Sequence, residues 1–127
     1  MSAFDQFLKV APRCEGYVVD RLSLAQVDDV DALEIGLRWG PEKPDIMLAF
    51  RDLYFFSIGR TPGPGAGPLD QVMATVLGPE NAPWPDGISL DLVRSTSLPP
   101  LLWLRVEGPV QFDVIAAIAT VSLEVLT

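Results

Sequence analysis

Twelve prolines divide this chain. Each lacks a backbone N–H and holds φ near about −65°, so none fits a helix interior or a central strand. Beyond Pro12 they leave six uninterrupted runs: residues 13–40, 45–61, 69–78, 86–98, 101–108 and 110–127. Regular structure must lie within these runs. None carries the roughly 18 unbroken apolar residues that span a membrane as a helix.

Most of the runs alternate. "ALEIGLRW" puts Leu33, Ile35, Leu37 and Trp39 on one face and Glu34, Gly36 and Arg38 on the other, the period of a half-buried strand. "GPEKPD" is a turn and "IMLAF" returns, so residues 33–50 read as a β-hairpin. Upstream, "GYVVDRLSLAQ" reads as a strand with Val18, Leu22 and Leu24 on a face interrupted by Asp20, and "VDDVD" turns the chain. Downstream, Tyr54, Phe56 and Ile58 resume the even positions of Ile46, Leu48 and Phe50 after Arg51 and Asp52, which mark a bend or bulge. This is one long bent strand or two strands meeting at a corner. "ISLDLVRS" and "LLWLRVEG" read as strands. The β-branched run "VQFDVIAAIATVSLEVL" reads as two more, 110–115 and 119–126, bent at the alanines, with a helix as the alternative.

Two helices are expected. Phe4, Phe7, Leu8 and Ala11 have helical spacing, with Ser2 as N-cap and Pro12 as the stop. Leu69, Val72, Met73, Val76 and Leu77 fall at i, i+3, i+4, i+7 and i+8, which predicts a second helix near 68–77 closed by Gly78. Before it lies "RTPGPGAGPLD", a glycine-rich stretch between an expected strand and an expected helix. It is not a phosphate cradle, because its prolines remove the N–H donors and no Lys-Ser or Lys-Thr follows Gly67. The expectation is therefore one β-rich α+β domain over 1–127. Seven or eight mostly antiparallel strands form a sheet or sandwich, with a short N-terminal helix and a helix near 68–77.

The chemistry is bounded by absences. There is no histidine and one cysteine, Cys14. Ser–His–Asp, Cys–His and thiolate–zinc sites are therefore impossible within the chain. The lone thiol forms no internal disulfide and fits a reducing cytoplasm. "MSAFDQFLKVAPR" lacks the basic start and apolar block of a secretory signal. Net charge is −8, from 17 acids against 9 bases, which disfavours nucleic acid as a partner and suits a basic protein. Asp28, Asp29, Asp31 and Glu34 form an acidic cluster without the spacing of a calcium loop. No enzyme, cofactor, metal site or membrane association is expected.

The alternating hairpin, "MLAFRDLYFFSIG", and a strand ending at Gly108 followed by "QFDVIAAIATVSLEV" together resemble small β-rich bacterial immunity proteins of polymorphic toxin systems. The resemblance covers about residues 30–126, is one of pattern, and transfers no functional residue. It implies a non-catalytic protein-binding domain that neutralises a toxin. An acidic, partly aromatic surface comprising Asp28, Asp29, Asp31, Glu34, Trp84 and Trp103 is the expected contact. Two alternatives stand beside it. One is a small-molecule-binding β-domain whose pocket is lined by Phe50, Tyr54, Phe55, Phe56 and Trp103. The other is a homo-oligomeric module pairing through its C-terminal strands.

Overall fold

The computed structural model describes residues 4–60 and 67–124. An N-terminal helix α1 (Asp5–Val10) runs into a 3-10 turn (Ala11–Cys14). Six strands follow: β1 (Val18–Val27), β2 (Val30–Arg38), β3 (Asp45–Arg60), β4 (Gln71–Leu77), β5 (Leu101–Glu107) and β6 (Gln111–Glu124). All pairings are antiparallel, in the order β1-β2-β3-β6-β5-β4. Two three-stranded meanders are thus joined by the β3–β6 pair. Among the described residues no helix is long and apolar enough to cross a membrane.

The hairpin expected over 33–50 is present, in the register Ile35↔Leu48 and Leu37↔Ile46. Leu33, Ile35, Leu37, Ile46, Leu48 and Phe50 are all buried on its inner face. Trp39 lies past the end of β2, 41% exposed and edge-on to Tyr17 at 5.4 Å. The β1–β2 turn contains Asp28 and Asp29, at φ 52° and 64°. Two consecutive left-handed residues are the signature of a type I′ hairpin, the turn that matches strand twist.

β1 departs from its expected face. Its register slips between Val19 and Arg21, so Asp20 is an extra residue. Uninterrupted alternation would have aimed Asp20 at the core. The slip turns it outward, 3.5 Å from Arg38, and buries Val19 instead. Leu22 packs against the core from part-exposure, and Leu24 is left exposed beyond it.

The bend at Arg51–Asp52 is real, and β3 is one long strand. Its partner bends at the same level. Phe50 pairs with Ala119 and Leu53 with Ala116, and all four pack in the main core. Two residues intervene on each strand: Arg51 and Asp52 on β3, Ala117 and Ile118 on β6. Asp52 takes φ 59° there. The C-terminal run is therefore a single strand bent at its alanines, not two strands.

Two further expectations are corrected. Residues 71–77 form strand β4 rather than a helix. Val72, Ala74 and Val76 face the main core, while Leu77 enters a second cluster on the other face. A strand apolar on both faces imitates helical spacing, and β-branched Val72, Thr75 and Val76 favour the extended form. Residues 88–95 form no strand; the whole 78–100 connection is irregular. With that strand absent, 110–126 reduced to one element and β4 added, the count is six rather than seven or eight. Ser2, residues 61–66 and the end of the expected strand at 125–126 lie outside the described residues.

The inner faces of both meanders and α1 meet in one core, where Phe7 and Phe50 pack at 5.4 Å. The sheet curls enough for the chain leading into one edge strand to reach the chain leading into the other. Leu69 N donates to Tyr17 O at 2.8 Å, and Gly16 N to Leu69 O at 2.9 Å. Gly16 has φ 88°, and a Cβ there would lie 2.6 Å from the Trp39 ring, so this junction requires glycine.

The strain in the type I′ turn can be relieved. Asp28→Asn/Asp29→Gly should stabilise the fold by about 0.5–1 kcal/mol. A melt followed by circular dichroism should show Tm rising by a few degrees; an unchanged or lower Tm would contradict this turn geometry.

Candidate functional site

The curled sheet has two faces, and coverage differs between them. The inner face holds the main core and α1. On the outer face, the 78–100 connection covers the β4–β5 end. There Trp84 and Ile88 pack with Tyr54, Phe55, Leu77, Leu101, Trp103 and Ile115. Nothing among the described residues covers the outer face around the β1–β2 turn.

That bare area is built by register. Ala32 pairs with Arg51, and Arg51 with Ile118, so the three side chains stand in a row across β2, β3 and β6. With Val30 and Asp28 they line a shallow concavity of about 220 Å³. Val30 and Ile118 are 40% and 49% exposed; Val30 shares the outward parity of Ala32 on β2, and Ile118 stands between the inward-facing Ala116 and Ala119 on β6. Among the described residues, the three non-glycine residues of positive φ are all aspartates near this patch: Asp28, Asp29 and Asp52.

The structure divides the expected acidic cluster. Asp28 and Asp29 form the hairpin tip. Glu34 shares the outer face with Ala32, its carboxylate 3.8 Å from Arg21 and both half-exposed. Asp31 has the opposite parity, that of Leu33 and Ile35, and accepts a 3.5 Å hydrogen bond from Gln26 Nε2. Among the described residues no three His, Cys, Asp or Glu side chains converge as a metal-binding group.

The two tryptophans expected at the contact surface are engaged within the fold. Trp84 Nε1 donates to Leu92 O at 2.7 Å, and Trp103 Nε1 to Asp113 Oδ1 at 3.0 Å. Beside Asp113, Arg105 Nε lies 3.2 Å from Glu107 and 3.8 Å from Asp113. These are ion-pair distances, though the Nε–H makes no aligned hydrogen bond. Arg94, which sequence reasoning passed over, organises the connection. Its guanidinium donates to Gly78 O at 3.2 Å, Pro83 O at 3.3 Å and Glu80 Oε1 at 2.9 Å, and lies 5.9 Å from the Trp84 ring centroid. The available signal was a single arginine closing a proline-rich segment, where main-chain carbonyls lack ladder partners.

The aromatic set does not enclose a pocket. Phe50 and Phe56 face the main core, whereas Tyr54, Phe55 and Trp103 belong to the second cluster. The larger clefts among the described residues are lined by other side chains. Nor does the C-terminal strand form a sheet edge as a whole: β6 lies between β3 and β5, and the outermost strands are β1 and β4. Cys14 is fully buried beneath α1, its Sγ 3.6 Å from Val10 O, and burial pushes its pKa up to about 12. It packs in the main core.

No protein-family model, curated protein or solved structure matches this chain.

Two outcomes follow from this packing. Trp84→Ala should free the 78–100 connection while leaving the sheet folded. Limited trypsin digestion should then cut after Arg94 at least about ten-fold faster, as expected for local opening made easier by more than about 1.4 kcal/mol. An unchanged rate would mean that Trp84 does not pin the segment. For Cys14, the unfolded thiol ionises from its ordinary value of 9.0 and the native thiol only at about 12. The native state keeps a proton that the unfolded state releases, so stability falls as pH rises through that window. Urea unfolding from about pH 8 to 10.5 should show a steeper loss for the wild type than for Cys14→Ala; parallel losses would refute it.

Proposed function

We propose that this chain is a non-catalytic protein-binding domain. Its contact surface is the bare outer face beside the β1–β2 turn, and its specific role is to neutralise a basic toxin as an immunity protein does. The observation that supports this most is the coincidence of strain and exposure. Left-handed aspartates cost more than asparagine or glycine at such positions, and such strain clusters at functional sites. Here it surrounds uncovered apolar side chains, Val30, Ala32 and Ile118, with Arg51 standing between Ala32 and Ile118.

The physics of inhibition matches that layout. Val30, Ala32 and Ile118 supply apolar area that loses water on contact, and an acidic group of the partner meets Arg51 between them. Asp28, Asp29 and Glu34 at the rim of this area attract a cationic surface and accelerate encounter. Asp31 contributes to the long-range field from the opposite face. Trp84 and Trp103 act by holding the other end of the sheet together.

Asparagine tolerates left-handed backbone, so Asp28→Asn/Asp29→Asn removes charge while keeping the turn. With a partner captured from native extract, association should slow about ten-fold at low salt. The difference should shrink as salt screens the charges. Stopped-flow mixing at two ionic strengths checks this. An equal rate at low salt would place the contact surface elsewhere.

A further inference from the structure

The opposite end of the β1–β3 meander carries a different chemistry. A cleft of about 580 Å³ lies there, within the usual range for small-ligand sites. It is separated from the β1–β2 tip by the length of β1, roughly 30 Å at about 3.3 Å per residue. Its apolar lining comes from α1, the chain before β1, and strands β3 and β6. Val10, Tyr17 and Ile46 are buried there, and Leu123 is partly exposed. The Tyr17 hydroxyl is committed to Pro44 O at 3.0 Å.

Cations outnumber carboxylates in the lining of this cleft, although Asp45 lies near enough to Tyr17 for its charge to be felt there. Arg13 and Lys43 line it, with Glu15 as the one carboxylate. Arg21, Arg38, Arg94 and Arg105 each have a carboxylate within 4 Å; Arg13 and Lys43, like Lys9 and Arg51, have none among the described residues, and of these four only Arg13 and Lys43 share a cleft. In a chain with 17 acids and 9 bases, two cations without carboxylate partners thus border one apolar cleft. The Lys43 ammonium lies 3.8 Å from the Trp39 ring centroid, a cation–π contact that positions it without neutralising it.

We propose that this cleft binds an organic monocarboxylate, with an aliphatic or aryl tail on Val10, Tyr17, Ile46 and Leu123 and its carboxylate on Arg13 and Lys43. The guanidinium fork matches a carboxylate, and the ammonium adds a second charge-assisted donor. The apolar floor gains by covering a hydrocarbon tail. The lining offers few other polar side chains, which disfavours sugars and nucleotides.

The test is a titration of the 15N-labelled protein with octanoate, below its micelle concentration, followed by amide chemical shifts. Parallel titrations use 1-octanol, octylammonium and inorganic phosphate. Octanoate should give saturable shifts at Arg13, Tyr17, Lys43 and Leu123 and bind more tightly than any control. Arg13→Gln/Lys43→Gln alters two exposed residues and should keep a dispersed, folded spectrum. It should weaken octanoate about ten-fold, as expected for the loss of charge-assisted bonds at an open site, and leave 1-octanol unchanged. Asp28→Asn/Asp29→Asn should not affect octanoate, which separates this site from the protein-binding surface. Equal binding of octanoate and 1-octanol, preference for octylammonium, the same shifts from phosphate, or no saturable shift would each overturn the proposal.

Discussion

The pairing of β3 with β6 is the constraint on which the rest of this fold depends. It runs from Asp45↔Glu124 to Arg60↔Gln111, longer than either strand's pairing with its other neighbour. β2 joins β3 along its first half, and β5 joins β6 along its first half, so the two meanders attach at opposite ends of this central ribbon. Without the ribbon there would be two separate three-stranded sheets, each with an apolar face in water. Strands so distant in sequence form such a ribbon only by closing a long loop, a cost that burial of Phe50, Phe112, Val114 and Ala116 offsets.

The matched bends in the ribbon have consequences on both sides of the sheet. On the inner side they let Phe50 and Leu53 on β3, and Ala119 and Ala116 on β6, serve the same core. On the outer side they expose Arg51 and Ile118 beside the β1–β2 turn. The exposure of Ile118 there is thus a by-product of the geometry that closes the core. The far end of the outer face is covered by the 78–100 connection. Arg94 makes that cover coherent by bonding carbonyls that no strand pairs, and its side chain is nearly buried beside Glu80. The half-exposed pairs Arg21–Glu34 and Arg38–Asp20 contribute little by comparison, because water screens them.

Charge in this molecule is arranged at two scales. The net −8 sets a long-range field that favours cationic partners. Locally, Arg13 and Lys43 place two cations against one carboxylate, Glu15, in the lining of the cleft beside Tyr17. A net charge says nothing of such a pairing, because Arg13 and Lys43 are thirty positions apart and border one cleft only in the folded chain.

The sequence by itself determined the elements whose signals are local. The period-two pattern over 33–50, the turn at Asp28–Asp29, the bend at Arg51–Asp52, the kink at the C-terminal alanines and the N-terminal helix were all legible, since each depends on residues that are neighbours in the chain. The identity of β4 was not legible. Its apolar residues serve both faces of a sheet, and only the adjacent Leu101–Glu107 ladder selects strand over helix. The packing of Trp84 and Trp103 into the outer-face cluster, the bridging role of Arg94, and the splitting of Asp31 from Glu34 onto opposite faces also awaited the tertiary structure. Periodicity specifies which residues share a face. Which face is covered, and by what, is decided by hydrogen bonds and packing between segments that the sequence holds far apart.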